Sequence, residues 1–438
     1  MNKTAREYAY EILVDILVTE AYSNISINKT FSKNNINQQD KRYITQLVYG
    51  SIKNKIYLEY IIKKFANSRI KTKVKILIIM SAYQILELDK TPNFAVVNEA
   101  VNLSKKLFGI HTSKFVNAIL RNIIRNIDVL SENTFNDIEE EICIKYSCPK
   151  ELFEILKEQY GSEKAISIVK SFNNTSENSV RINTLKTNKQ ELMNSFSKAG
   201  ISVKESSIVE DSLLVSNIDI NDPLFKNGYY IIQDEASSLV AHTINQDKDH
   251  QYNILDVCAA PGGKSLHIAS LYSNSEITSC DKYIHKLKLI ESNANKLGIT
   301  NINVIEQDAR KSNSEFIDKF DILICDVPCS GMGVIKNKPE IKYKIRDSYI
   351  DEIANLQLEI LENSKKYLKK GGILIYSTCT IDKRENEYNI SKFLKNNVDF
   401  TIEPINIENI ETIDKGMIRI LPDEYNCDGF FICKLIKN

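Results

Sequence analysis

The sequence predicts an α/β fold: a mostly parallel sheet, covered by helices on both faces, in the C-terminal part of a chain whose N-terminal part is helical. Three observations carry this. Residues 253–265, Asn-Ile-Leu-Asp-Val-Cys-Ala-Ala-Pro-Gly-Gly-Lys-Ser, run from an apolar strand through a small, glycine-containing turn into a helix-like stretch, which is how an α/β domain opens a nucleotide or cofactor site. Four further strand-like runs come after it, most of them separated by helical patterns, as parallel strands with crossovers require. Before residue 126, by contrast, the apolar residues recur at helical spacing.

In chain order, residues 5–18, 41–52, 57–64, 73–88, 94–107 and 113–125 read as helices, with Asn-, Ser-, Pro- and Gly-containing breaks between them. Such a set packs as a bundle of its own. The polar stretch 131–136 is the expected boundary. The first twenty residues carry Lys3, Arg6, Glu7, Glu11 and Asp15, unlike a secretory leader, and no charge-free run approaches the ~20 residues of a membrane span. A cytoplasmic protein with no membrane partner is expected. Its 438 residues suggest two to three domains, and 43% apolar content is enough to bury large cores.

A net charge of zero hides a division of labour. Residues 1–130 hold 20 Lys and Arg against 10 Asp and Glu, and the remainder holds 37 against 47. The bias is steepest from Lys53 to Lys75, where Glu59 is the one acidic residue. A basic domain joined to a cofactor domain suggests a polyanionic partner, most simply nucleic acid; a solvated helix face is the alternative.

Residues 139–225 read as a small α+β module, with helices at 151–158, 162–171 and 189–199 and strands at 179–183 and 212–216. Within it Arg181-Ile182-Asn183-Thr184 reads as an RNA contact or as an exposed strand end. Then come strands at 254–257, 276–280, 302–305, 321–325 and 372–376, with helices at 265–271, 283–297 and 349–368.

Ligands of such sheets sit outside the carboxyl ends of the strands, so the residues just past each strand are the informative ones. Gly263-Lys264-Ser265 matches the tail of a triphosphate-binding loop, but the first glycine of that motif would fall on Cys258, which argues against a nucleotide triphosphatase. Asp281 comes after the second strand, eighteen residues beyond Gly263, near the ~20-residue offset at which a carboxylate accepts ribose hydroxyls. Asp308 comes after the third, placed to accept an adenine amino hydrogen, and Asp326 ends the fourth. A lone Asp there is more often a helix cap or turn residue; a small loop and three Asp at four successive strand ends are not explained by capping. The ligand implied is an adenosine without a triphosphate, and S-adenosylmethionine fits.

The nine cysteines are odd in number and scattered, so reduced thiols are expected, and neither Cys143 with Cys148 nor Cys325 with Cys329 has metal-pair spacing; no metal is expected. Cys280, Cys325 and Cys433 read as apolar fillers. Cys329 and Cys379 differ, because each lies in a polar loop beyond a strand end. Adjacent strands lie ~4.8 Å apart, so if the fourth and fifth strands are neighbours the two thiols face one pocket beside the cofactor. Methylation of a ring carbon calls for such thiols. Cytosine C5 is too poor a nucleophile on its own; a thiolate adding to C6 makes it enamine-like, and the C5 proton must later leave. Lys264 is a candidate for electrostatic help in lowering a thiol that ordinarily titrates near ~8.5. Geometry alone does not rank the two cysteines.

Cys258-Ala259-Ala260-Pro261-Gly262-Gly263-Lys264, Asp326-Val327-Pro328-Cys329-Ser330-Gly331 and Ser377-Thr378-Cys379-Thr380 resemble, in order, spacing and strand context, the RNA cytosine-5 methyltransferases of the Sun/Nop family. Flanking segments at 228–237 and 428–431 agree. The resemblance implies a Rossmann-like class I methyltransferase domain over 226–438 and S-adenosylmethionine as cofactor. It makes Cys379 the nucleophile, Cys329 the group that assists release, and Asp326 the contact to the cytosine edge and the cofactor site. Cys258, Ala259, Ala260, Pro261, Gly262, Gly263, Lys264, Asp281 and Asp308 would hold the cofactor. Residues 1–130, with Asp40-Lys41-Arg42, Leu47-Val48-Tyr49-Gly50 and a run from Lys114 to Asn122, look like the NusB type of RNA-binding bundle, with 139–225 as a linking domain. That combination is similar to the bacterial enzymes that methylate cytosine 967 of 16S rRNA, and implies that 16S rRNA, naked or within an assembling subunit, is the partner of a monomer. A cytosine-5 methyltransferase of tRNA or of another rRNA site is the alternative inside the class, and a non-catalytic RNA-binding ribosome-assembly factor the alternative outside it.

Overall fold

The computed structural model describes residues 3–66, 68–89, 91–128, 135, 137–174, 177–216, 218–219 and 221–438. The chain divides into two compact units, one of residues 1–174 with 335–345, the other of residues 175–334 with 346–438. The stretch 139–225, expected as one linking module, is thus shared between them. The boundary expected at 131–136 lies outside the described residues apart from Phe135.

The first unit is helical: α1 (Ala5–Thr19), α2 (Ser23–Lys33), α3 (Gln38–Lys53), α4 (Lys55–Phe65), α5 (Thr72–Glu87), α6 (Asn93–Phe108), α7 (Ile110–Arg125), α8 (Ile138–Lys145), α9 (Lys150–Tyr160) and α10 (Ser162–Ser171). Helix α1 starts in a capping box, Thr4 with Glu7. Helix α5 is buried on nearly every side from Val74 to Ile85, so it is the axis of the bundle, and one apolar core gathers α1 to α7 around it. Helix α2 has no apolar stripe to announce it. Its Ser26 hydroxyl bonds Asp15, and its Ser23 donates through N–H (2.9 Å) and Oγ (3.0 Å) to Glu340.

Glu340 belongs to the segment 335–345, which the chain sends into this unit from far along the sequence. There Tyr343 donates to the Ile52 carbonyl (2.7 Å), and Lys342, fully buried, donates to the carbonyls of Lys53 (3.0 Å) and Tyr146 (3.3 Å). Both are carbonyls at helix ends, the groups a helix leaves unpaired. Burial pulls the Lys342 ammonium down to about 7.

The second unit holds two sheets. The small one comprises β1 (Asn178–Ile182), β2 (Val203–Glu205), β3 (Ser212–Val215) and β4 (Tyr230–Ile232), antiparallel in the order β2-β3-β1-β4, with α11 (Lys189–Lys198) packed in its core. A short α12 (Pro223–Lys226) precedes β4, and α13 (Glu235–Thr243) comes after it. Arg181 and Asn183 are buried, so neither reading of that stretch holds. Arg181 donates to the Gly263 carbonyl (3.1 Å), and Asn183 donates to those of Gly228 (2.7 Å) and Leu297 (2.8 Å).

The large sheet is built from β5 (Asn253–Asp256), α14 (Gly263–Leu271), β6 (Glu276–Asp281), α15 (Ile284–Leu297), β7 (Ile302–Glu306), β8 (Phe320–Asp326), α16 (Asp347–Ser364), β9 (Leu368–Thr378), α17 (Glu387–Asn396), β10 (Phe400–Ile402), β11 (Thr412–Asp414), β12 (Met417–Ile420) and β13 (Phe430–Lys437). Its order is β11-β12-β13-β9-β8-β5-β6-β7, with β10 on β13; β5 to β9 run parallel, and β10 to β13 are antiparallel additions. Side chains alternate between two cores, as a doubly covered sheet requires. Ile254, Ile322, Ile324, Ile373 and Ile375 go to one, and Leu255, Leu323, Cys325 and Leu374 to the other. The helix expected over 349–368 ends at Ser364. A short turn around the buried Tyr367, whose hydroxyl reaches the Lys311 carbonyl (3.2 Å), then leads into β9.

Candidate active site

Strands β8 and β9 are hydrogen-bonded neighbours with Asp326 opposite Ser377, so the loops that leave them start at the same level. That register brings Cys329 and Cys379 together, their Sγ atoms 2.6 Å apart and not joined in a disulfide. The hydrogen bond to Cys379, and then burial, push the Cys329 thiol well up. On the same strand ends Asp326 takes Lys264 Nζ at 2.7 Å and Ser377 Oγ at 2.9 Å. Burial works against the Lys264 charge, but Asp326, and behind it Cys379 and Asp256, outweigh burial and raise the ammonium; the Phe430 ring lies 5.1 Å away.

These groups line a cavity of about 550 Å³ with Cys258, Ala260, Asp281, Asp308, Pro328 and Tyr283. The size suits a cofactor-sized ligand. Of the expected cofactor residues, Cys258, Ala260, Lys264, Asp281, Asp308 and Asp326 face the cavity, whereas Ala259, Pro261, Gly262 and Gly263 do not line it. They shape the turn instead. Gly262 has φ +100° and starts α14, a conformation that excludes a side chain there. Asp281, at the end of β6, accepts the Tyr283 N–H (3.1 Å) and lies 3.7 Å from Lys286. Asp308 is already gripped by Arg310, whose Nε (3.0 Å) and Nη2 (2.7 Å) hold its carboxyl down to about 2. An adenine amino group there would share that carboxylate with the guanidinium. The donor set, two carboxylates beyond β6 and β7 beside a glycine turn at a helix start, fits the adenosine part of S-adenosylmethionine.

Several residues of the site were not singled out in the sequence. Asp256, the last residue of β5, accepts Ser265 Oγ (2.5 Å) and the Cys258 N–H (3.2 Å), pinning both ends of the cofactor loop; burial pushes its carboxyl up to about 7. Its signal was present, since it ends a strand as Asp281 and Asp326 do. Behind the loop, the buried Asp211 accepts His267 Nε2 of α14 (2.6 Å) and His242 Nε2 (3.0 Å), an Asp and His cluster that nothing in the local sequence announced. Glu385 and Asn386 bind both thiol loops, again without a local signal. The Asp428-Gly429-Phe430-Phe431 run has a spatial reason. Gly429 and Gly333 touch backbone to backbone, with Gly429 N–H on the Gly333 carbonyl (2.9 Å) and Gly333 N–H on the Cys379 carbonyl (3.1 Å), and a Cβ on Gly333 would lie 1.9 Å from the Gly429 oxygen.

Comparison with known proteins agrees with this architecture. Residues 242–436 match the family described as 16S rRNA methyltransferase RsmB/F, residues 3–125 match the NusB family, and residues 148–220 match the ferredoxin-like domain of RsmF/B-like methyltransferases. The chain is 36% identical to a Bacillus subtilis protein named probable ribosomal RNA small subunit methyltransferase B, across 100% of both chains. It is 29% identical to the ribosomal RNA small subunit methyltransferase B of Shewanella oneidensis, across 99% of both. The crystal structure of PH0851 shares the fold, with a TM-score of 0.82 at 24% identity over 100% of each chain. Among the described residues no helix is long and apolar enough to cross a membrane.

Proposed function

The chain belongs to the ribosomal RNA small subunit methyltransferase B family and is an S-adenosylmethionine-dependent RNA methyltransferase, and from that premise we propose that it methylates C5 of a cytosine in 16S rRNA, cytosine 967, through a covalent bond from Cys379 to C6. The observation that supports this reading is the thiol pair, 2.6 Å apart beside the Lys264–Asp326 ion pair in the cofactor cavity. An enzyme that methylates an oxygen or an amine needs neither thiol.

Cys379 adds to C6 as a thiolate, in the same cavity wall as the Lys264 ammonium. The C5=C6 electrons shift toward C5 and N3, where Asp326 orients the ring edge. Asp281, Asp308 and the Cys258–Lys264 loop would hold S-adenosylmethionine, which would supply an electrophilic methyl group to C5. C5 then carries one proton too many. Cys329 is the base for it. Once Cys379 is a thioether on C6 it carries no charge, and Cys329, its own proton passed to solvent, faces C5 as a thiolate. When Cys329 takes the C5 proton, the C–H electrons re-form C5=C6 and the S–C6 pair returns to Cys379.

The basic bundle would grip the RNA backbone through phosphates while the target base is turned out into the cavity. We place the enzyme in the cytoplasm as a monomer. Transfer of labelled methyl groups to unmodified small-subunit rRNA and to tRNA tests the reading. Label on rRNA at cytosine C5 is expected, at a rate that falls steeply between 50 and 200 mM salt, roughly 10³-fold or more in affinity for six or more phosphate contacts. Label confined to tRNA would move the substrate, and label on a base nitrogen would overturn the mechanism.

A further inference from the structure

The thiols meet because their loops are held from behind. Glu385 and Asn386, in the turn between β9 and α17, are fully buried and absent from the cavity wall. Glu385 accepts the Ser330 N–H at Oε2 (2.9 Å), the Ser330 hydroxyl at Oε1 (2.5 Å) and Gln357 Nε2 at Oε2 (2.8 Å); the same Gln357 nitrogen holds the Pro328 carbonyl (2.9 Å). Both residues that flank Cys329 are thereby fixed. Asn386 does the same for Cys379. Its Oδ1 accepts the Thr378 hydroxyl (2.6 Å) and its Nδ2 donates to the Thr380 carbonyl (3.0 Å), while Ser330 and Thr380 meet through their hydroxyls (2.9 Å). Two consecutive residues thus tie together two loops fifty residues apart.

We propose that Glu385 is a positioning residue for release of the methylated base, setting Cys329 against Cys379 and acting by reach rather than by charge. The inference rests on the roles of the two cysteines proposed above. Release needs Cys329 at the C5 proton while Cys379 lets go of C6, and a base displaced by ~1 Å can lose about 10²-fold in rate. Glu385 touches neither reacting atom, so it acts through Ser330. Its charge is dispensable on this geometry. Burial already pushes the carboxyl up to about 7, and a glutamine can fill the place, its oxygen accepting the Ser330 N–H and Gln357 and its amide donating to the Ser330 hydroxyl. An aspartate keeps the charge but draws the carboxyl back by one C–C bond, about 1.5 Å.

The experiment measures, on the full-length chain with bound cofactor verified, both turnover on small-subunit rRNA and the denaturation-resistant protein–RNA adduct. Glu385→Asp should accumulate adduct and turn over ~10- to 100-fold more slowly, while Glu385→Gln stays within about threefold of wild type. A general loss of structure would lower adduct and turnover together. Ser330→Ala removes the hydroxyl contacts to Glu385 and Thr380, keeps the Ser330 N–H bond to an unchanged Glu385, and should shift the balance toward adduct by a few fold; it serves if Glu385→Asp does not fold. The reverse order, with aspartate active and glutamine blocked, would show that charge matters and overturn the inference. So would wild-type partitioning in both Glu385→Asp and Ser330→Ala. Cys329→Ala, run alongside, must itself accumulate adduct; if it does not, the reading of the two thiols falls first and this inference with it.

Discussion

The carboxyl edge of the large sheet has two halves built in opposite ways. Beyond β6 and β7 the carboxylates stand in the cavity wall and their cationic partners reach in from solvent, Lys286 3.7 Å from Asp281 and Arg310 2.7 Å from Asp308, and the lining ring Tyr283 is 47% exposed. Beyond β8 and β9 the thiols are clamped through fully buried hydrogen bonds to Glu385 and Asn386. The difference matches what each half must do. A cofactor enters and leaves every turnover, so its side keeps solvent-facing partners; two sulfurs that act in turn on one ring need a fixed separation.

The thiol half should respond most strongly to substitution. Cys379→Ala should abolish adduct and lower turnover by at least ~10⁴-fold, as loss of a nucleophile does, with cofactor affinity unchanged when measured by equilibrium binding. Cys329→Ala should cost about 10²- to 10⁴-fold in turnover, the range of a lost acid-base group, while adduct builds up. If the two variants exchange these signatures, the nucleophile is Cys329, and the inequality between the thiols runs the other way round.

On the cofactor side the effects should be smaller and confined to binding. Asp281→Ala removes a carboxylate placed for ribose hydroxyls and should raise KM for S-adenosylmethionine by ~10- to 100-fold, as loss of a charged hydrogen bond does, with kcat nearly unchanged. A drop in kcat alone would mean that this half too is a clamp.

The smallest effect concerns Asp256, at the end of the central strand β5. Its folded carboxyl is pushed from 3.8 to about 7, mainly by burial. The native state therefore binds a proton that the unfolded chain has already lost, and this contribution to stability is full below 3.8 and disappears as pH rises through about 7. Asp256→Asn keeps an acceptor for the Cys258 N–H and gains a donor for Ser265. Denaturant midpoints of this variant should fall less between pH 4 and pH 8 than those of wild type. Parallel curves would show that Asp256 does not titrate in that window.

The sequence by itself determined the helical class of the N-terminal unit, the five parallel strands, and the cofactor and thiol motifs. Each is encoded in local spacing: apolar residues three and four apart, short apolar runs, and a small loop, Asp or Cys just past a strand end. It did not disclose α2, whose few buried positions are mostly serines held by Asp15 and Glu340. Nor did it show that Arg181 and Asn183, polar residues at a strand end, would be buried against the carbonyls of Gly263 and Leu297. Only the tertiary structure decided that β8 and β9 are neighbours in a register that joins Cys329 to Cys379, and that Glu385 and Asn386 sit behind both. Strand order and buried polar pairing depend on residues tens to hundreds of positions apart, and no local period records which of them will meet.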